Sequence, residues 1–363
     1  MHIPDSVSAT AVDETPRIRV MMRAVADRLA ARPFVAPRWL RNGHAMTIVA
    51  SQWPRTFNLS IPGERRVFQT EPDTQVVTFC HWQPDRHRHP TVLVTHGLEG
   101  HAERAYVLGT TEKALRAGFN VVRQNVRNCG GTIHLTPTLY HSGLITDLRA
   151  ITTELIERDG LGEIYLIGYS MGGNQSLKFA AALGAAAPPQ LAGVAAISPA
   201  IDLAACCDAI SRPDCFIYEY RFVRSLKKTM LAKNQVFPGM CDPERVGRIR
   251  TLREFDDVVT GPSWGFGDSN GYYRNASSRP HLGRIRVPAL LLTAQDDPFI
   301  PYESFLDPLL AANPWLIVEA PAHGGHTGFM ATRESMHTEP DAYWAESQAV
   351  EFCRLISRMK REG

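Results

Sequence analysis

The sequence predicts an α/β protein built on a mostly parallel sheet, and three observations carry that reading. Short β-branched runs recur along the chain, patterns of helical period separate them, and glycine-bearing turns follow several of the runs. The runs are TVLVTHG (91–97), FNVVRQNVR (119–127), EIYLIGYS (163–170), GVAAIS (193–198), PALLLTA (288–294) and WLIVEAP (315–321). Helical patterns lie at 102–117, 143–158, 171–186, 302–312 and 341–360. Strands alternating with helices call for a sheet covered on both faces, because each crossover lays its helix against the sheet. Residues 68–82 add earlier strands, antiparallel and at the edge.

Ahead of these strands, 1–16 read as a disordered tail and 17–31 as an amphipathic helix that stops near Pro33. Between Ser198 and Pro288 lie 89 residues, far more than an ordinary crossover needs, so something is inserted between the sixth and seventh strands. The insertion has an aromatic and basic helical stretch at 215–235 and a Gly-rich part at 260–273. It reads as a cap over an active-site mouth, at 200–285. The chain then divides into a tail and helix, 1–31, and one domain, 32–363, that carries the cap.

Composition narrows the function. Against 37 acidic residues stand 39 basic ones, so no global field draws the chain to nucleic acid or to an anionic membrane surface. Seven cysteines, an odd number without CxxC or Cys/His ligand spacing, point to neither a disulfide framework nor a zinc site. A reducing, cytoplasmic setting follows as the expectation. The first residues lack a basic start and an apolar core, and no run of about 18 apolar residues occurs, so neither a secretory signal nor stable membrane insertion is expected.

The chemistry gathers at strand ends. GYSMG (168–172) matches GxSxG, in which the serine sits on a sharp turn between strand and helix with its hydroxyl exposed. Ser170 is therefore the candidate nucleophile, and it needs a base, since a free hydroxyl is a weak nucleophile at neutral pH. In this architecture the order is serine, acid, histidine. TAQDDPFIP (293–301) offers Asp296 and Asp297, and APAHGGHTGF (320–329) offers His323 and His326. Asp297, four residues before Pro301, is favoured as the acid, with Asp296 bracing its loop. His326, preceded by two glycines, is favoured as the base over His323. THGLEG (95–100) supplies an oxyanion loop, in which the N–H of Leu98 pairs with that of Met171. Cys129 of RNCGGT reads as a buried residue in a glycine turn, and His141 of YHSG as structural. The acids of REFDD (253–257) read as helix-end charges and a brace to the cap.

Together RPFVAPRWLRNGHAMTI (32–48), VTHGLEGHAERAYV (94–107), RNCGGT, YHSG, GYSMGGN, REFDD, DDPFIP and HGGHTGF resemble the YheT-like, EMB8-type α/β-hydrolases, a family that includes the mammalian abhydrolase-domain lipases and esterases numbered one to three. The resemblance runs from residue 32 to 355. It implies an α/β-hydrolase fold and ester hydrolysis, with the nucleophile at Ser170, the acid at Asp297 and the base at His326. The expected substrate is a small-molecule or lipid ester, without nucleic acid. No metal or organic cofactor is implied, because Ser-His-Asp chemistry needs none. An acyltransferase of the homoserine O-acetyltransferase type, which carries a similar GxSMGG elbow, is the alternative outcome of the same triad.

Overall fold

The computed structural model describes residues 15–336 and 341–362, so most of the expected tail, 1–16, lies outside the described residues. Eight strands form one sheet: β1 (Glu64–Glu71), β2 (Thr74–His81), β3 (Thr91–Thr95), β4 (Asn120–Gln124), β5 (Ile164–Tyr169), β6 (Leu191–Ile197), β7 (Ala289–Leu292) and β8 (Leu316–Glu319). Their spatial order is β1-β2-β4-β3-β5-β6-β7-β8. β1 and β2 pair antiparallel with each other, and β2 antiparallel with β4; every later pairing is parallel.

The alternation of strand side chains splits the core in two. Leu93, Val122, Leu166, Val194 and Leu291 face one layer, and Val92, Val94, Val121, Ile167 and Leu290 face the other. The first layer is covered by helices α4 (Thr146–Glu157) and α5 (Met171–Leu183). The second is covered by α1 (Thr15–Ala30), α3 (Ala105–Arg116) and the helix Trp344–Glu362. In α1 the apolar positions Met22, Val25 and Leu29 recur at helical spacing and are buried against this second layer. The Leu29 carbonyl accepts a 3.0 Å bond from Gln348 Nε2, which ties α1 to the helix Trp344–Glu362. Helix α2 (Gly43–Gln52) starts where Asn42 Oδ1 accepts from Ala45 N at 3.0 Å, an N-cap.

The expected helix over 302–312 is broken. A 3₁₀ turn, Tyr302–Phe305, is followed by a short helix, Pro308–Ala312. Pro308 has no N–H to donate and disfavours helical backbone at Asp307, whose side chain instead caps Leu309 N at 3.0 Å.

Between β6 and β7 the chain runs through helices α6 (Leu203–Ile210), α7 (Phe216–Val236) and several shorter ones. The inner side of α7 packs Val223, Leu226 and Met230 against Leu139, Val246, Ile249 and Phe255, a small core of its own. Because the chain leaves β3 for β4 on one side and then returns to β5 on the other, the loops after β3 and β5 diverge at the carboxyl ends of the strands. A crevice opens there, where parallel sheets bind their ligands.

Candidate active site

Ser170 stands between β5 and α5 with φ 52° and ψ −114°, a strained conformation for a residue with a side chain. Three backbone bonds hold it there. Its N–H donates to Ile197 O at 2.9 Å, and its carbonyl accepts from Asn174 N at 3.0 Å and Ala200 N at 3.3 Å. The flanking glycines are sterically required. A Cβ at position 168 would lie 2.3 Å from Gly172 O, and one at 172 would lie 2.6 Å from the carbonyls of Thr95 and His96. Gly97 comes nearly as close to the serine, since a Cβ there would sit 3.2 Å from Ser170 Cβ.

The loop after β7 carries Asp296 and Asp297, and the loop after β8 carries His323 and His326. The structure brings them together as two separate pairs. His326 Nδ1 lies 3.0 Å from Asp297 Oδ2 and 3.2 Å from Oδ1. His323 Nδ1 lies 3.2 Å from Asp296 Oδ2. Asp297 is enclosed, its side chain fully covered, and its Oδ1 also accepts from Phe299 N at 2.9 Å and Ile300 N at 3.1 Å. An ionised carboxylate only accepts, so it assigns the proton of neutral His326 to Nδ1 and leaves Nε2 as the basic nitrogen. Asp296 has a different task. Its Oδ1 takes the Gly325 N–H at 2.9 Å, bracing the histidine loop.

That loop is also held by residues to which the sequence reading gave no role. Thr47 Oγ1 accepts from His326 N at 2.8 Å and donates to Gly43 O at 2.7 Å. Gly43 lies so close to Asp296 that any Cβ would overlap the Asp296 carbonyl, and a Cβ on Gly325 would come within 2.5 Å of Gly43 O. The stretch RNGHAMT thus works as a backbone brace for both loops. Its only signal in the sequence was a distinctive motif without an assigned role.

On the oxyanion side, His96 is fully buried, and burial lowers its pKa to about 4, so it is neutral at physiological pH. Its Nε2 accepts from Val126 N at 3.0 Å, which assigns the proton to Nδ1, 2.7 Å from Gly97 O. The imidazole pins the loop after β3 to the loop after β4. Among the described residues, neither Leu98 N–H nor Met171 N–H has a hydrogen-bond partner. Met171 is the first residue of α5, where the helix leaves such donors free and adds its own partial positive charge.

Glu99, next in the loop with φ 52°, is a second residue whose part was not visible in the sequence. Its carboxylate accepts from Tyr140 OH at 2.6 Å and from two hydroxyls of α7, Ser225 at 2.6 Å and Thr229 at 2.8 Å. Glu99 N donates in turn to Tyr140 OH at 3.3 Å. The loop that bears Leu98 is thereby fastened to the insertion.

Ser170, His326, Leu98 and Met171 all line one cavity of about 110 Å³. Much of its remaining wall is apolar, with Leu203, Ile210, Phe222, Leu226, Met230 and Phe255 contributed by the insertion. Among the polar groups that interrupt that wall are His141 and Asp256. His141 is neutral, since burial drives its pKa to about 3, and its Nδ1 accepts from Gly143 N at 3.1 Å. Asp256 stands at a helix end, as expected, capping Leu252–Phe255, but it is not solvated. It is buried at the cavity wall, where Tyr273 OH donates to it at 2.7 Å, and desolvation pushes its carboxyl up to about 6 despite that bond and one from Thr260. Asp257 makes the bracing contact, accepting from Ser269 N at 2.8 Å. Cys129 is buried in its glycine turn, and burial holds its thiol well above the usual range.

One group of potential metal ligands, His44, Asp214 and Cys215, brings its donor atoms within 4.8 Å of one another. Asp214 is exposed and already shared between His44 at 3.4 Å and Arg212 at 3.5 Å, while the Cys215 thiol points at Pro298 O. The group is better described as a tie between the segment at 44 and the insertion.

A strained serine elbow, a carboxylate-paired histidine and two unpaired backbone N–H groups thus surround one largely apolar cavity, at the strand ends where an α/β-hydrolase fold places its site. The chain belongs to the α/β-hydrolase fold family, whose model matches residues 90–331. It is similar to YheT of Escherichia coli strain K12, which carries an esterase name, at 28% identity over 82% of this chain and 87% of that one. It is also similar to the phospholipase ABHD3 of Mus musculus, at 28% identity over 68% of this chain and 60% of that one. Among solved structures, the Pyrococcus furiosus esterase Pf2001 superposes with a TM-score of 0.55 at 16% identity, covering 82% of this chain and 95% of that one. The resemblance to the YheT-like hydrolases is thus borne out, and the chain stands among the carboxylic-ester hydrolases.

Proposed function

We propose that the chain hydrolyses carboxylic esters through an acyl intermediate on Ser170, acting as a carboxylesterase or lipid-ester lipase on substrates with an apolar acyl chain. His326 Nε2 takes the Ser170 proton as Oγ attacks the ester carbonyl carbon, and the carbonyl π electrons move onto oxygen. The N–H groups of Leu98 and Met171 stabilise that oxyanion. When the carbon–oxygen bond to the alcohol breaks, His326 returns its proton to the leaving oxygen. Water then enters by the same steps in reverse order and releases the acid. Asp297 keeps Nδ1 protonated and stabilises the imidazolium.

The observation that carries this reading is the Asp297–His326 pair, 3.0 Å apart, opening on the cavity that also holds Ser170. The apolar wall supports an apolar acyl chain. The insertion at 200–285 acts in this reading as the cap of a single hydrolase domain, 32–363, with 1–31 as its N-terminal extension. The seven cysteines are all free, which supports a reducing, cytoplasmic setting.

The test is hydrolysis of p-nitrophenyl esters of increasing chain length by wild type and Ser170→Ala, with fluorophosphonate labelling mapped by mass. The expected result is label on Ser170 and loss of turnover in the variant. Turnover that survives Ser170→Ala, or label on another residue, would refute the mechanism.

A further inference from the structure

Helix α7 has two unlike faces. Phe222, Leu226, Thr229 and Met230 line the cavity. On the outside, at its first turn, Phe216 is 67%, Ile217 68% and Tyr220 55% exposed, with the rings of Phe216 and Tyr220 stacked at 6.4 Å. Exposed Arg221, Arg224 and Lys228 continue from Ile217 at steps of four, three and four, so they share its side of the helix.

Beside that stripe runs a groove toward the loop 247–250. Its charged lining is Arg224, Lys227, Lys228, Arg248 and Arg250, without an acidic residue among the described ones. Lys227 Nζ fixes the loop by donating to Gly247 O at 2.7 Å and Ile249 O at 2.8 Å. Two exposed carboxylates stand at the rim, Glu244, 3.4 Å from Arg248, and Glu254, which accepts from Arg250 N at 2.7 Å, against five basic residues in the lining. Although the whole chain is nearly neutral, this face is cationic with an apolar tip.

From this geometry we propose that the outer face of α7 docks on an anionic lipid bilayer, delivering a lipid ester to the cavity on the other side of the same helix. The inference rests on the ester-hydrolase reading for its substrate. Charge complementarity selects an anionic partner, and the apolar tip selects among such partners. Nucleic acid or an acidic protein surface would satisfy the arginines and lysines while leaving Phe216 and Ile217 in water, whereas a bilayer takes both. Docking is peripheral, since no helix among the described residues is long and apolar enough to cross a membrane.

The experiment is co-sedimentation of the full chain with phosphatidylcholine vesicles, with and without phosphatidylglycerol, alongside hydrolysis of soluble p-nitrophenyl butyrate. Wild type is expected to pellet with the phosphatidylglycerol vesicles at low salt and not with phosphatidylcholine alone. Arg224→Glu with Lys228→Glu should lower that partition about thirtyfold, and Phe216→Ser with Ile217→Ser at least about tenfold. Both variants should hydrolyse the soluble ester as wild type does, since none of the four residues lines the cavity. Wild type remaining in the supernatant with anionic vesicles would overturn the proposal, as would variants that pellet undiminished, or capture of an RNA homopolymer with vesicles ignored. Vesicle binding without soluble-ester turnover would leave the surface standing and remove the hydrolase reading instead.

Discussion

Asp297→Asn is the substitution whose effect the geometry specifies most closely. In the wild type, Asp297 Oδ1 is held by the N–H groups of Phe299 and Ile300 and Oδ2 faces His326 Nδ1. An asparagine in this place must keep its carbonyl oxygen toward the two backbone donors, because turning the amide would set its NH₂ against both of them. The NH₂ then faces His326 Nδ1 and donates to it. The imidazole is forced to carry its proton on Nε2, where it can no longer accept one from Ser170. Loss of the correct tautomer in a triad of this kind costs about 10⁴ in kcat, equal to roughly 5 kcal/mol at about 1.4 kcal/mol per decade. Asp296→Asn is the matched control. It disturbs only the Gly325 brace and His323, so its cost should stay within about tenfold. Steady-state kcat/KM on a short p-nitrophenyl ester, with melting temperatures to verify folding, reads both. Equal losses in the two variants, or retention of more than a tenth of activity in Asp297→Asn, would refute the assignment of roles.

Two further outcomes follow from carboxylates at the cavity wall. Glu99→Ala strips three hydroxyl partners from the loop that presents Leu98, so kcat on a short ester should fall about ten- to a hundredfold with KM little changed, and Glu99→Gln should restore most of it; an unchanged kcat in Glu99→Ala would show that the loop holds itself. Asp256, raised from the usual carboxyl range to about 6, holds its proton in the folded chain where the unfolded chain has lost it. Its stabilising contribution is present below pH 4 and is lost as pH climbs through 6. Asp256→Asn should therefore gain stability relative to wild type across that window, by at most about 3 kcal/mol, and parallel melting curves against pH would refute it.

Most of the sheet was legible because parallel strands buried on both faces leave continuous β-branched runs, as at 91–95 and 164–169. The elbow was legible because its sterics are local: Gly168 and Gly172 sit two residues either side of Ser170. What stayed hidden depends on partners far apart in the chain. Nothing near Glu99 announces Ser225 and Thr229, and nothing near Thr47 announces His326, 279 residues on. The burial of Asp256 was hidden for a related reason, since a charged REFDD run reads as a solvated helix end until Tyr273 closes over it. The break at Pro308 was a local signal, and the helical pattern on either side outweighed it.

The brace at Thr47 sets an order of events for the newborn chain. The elbow can form once β5 and β6 are paired, but His326 leaves the ribosome long after it, and its loop is anchored at Thr47 and, through Phe329 O, at Trp344 N. Ser170 is thus assembled well before the group that would arm it. In the proposed mechanism a chain without the docked loop 320–329 would lack its base, so the onset of turnover would report that the loop has reached Thr47.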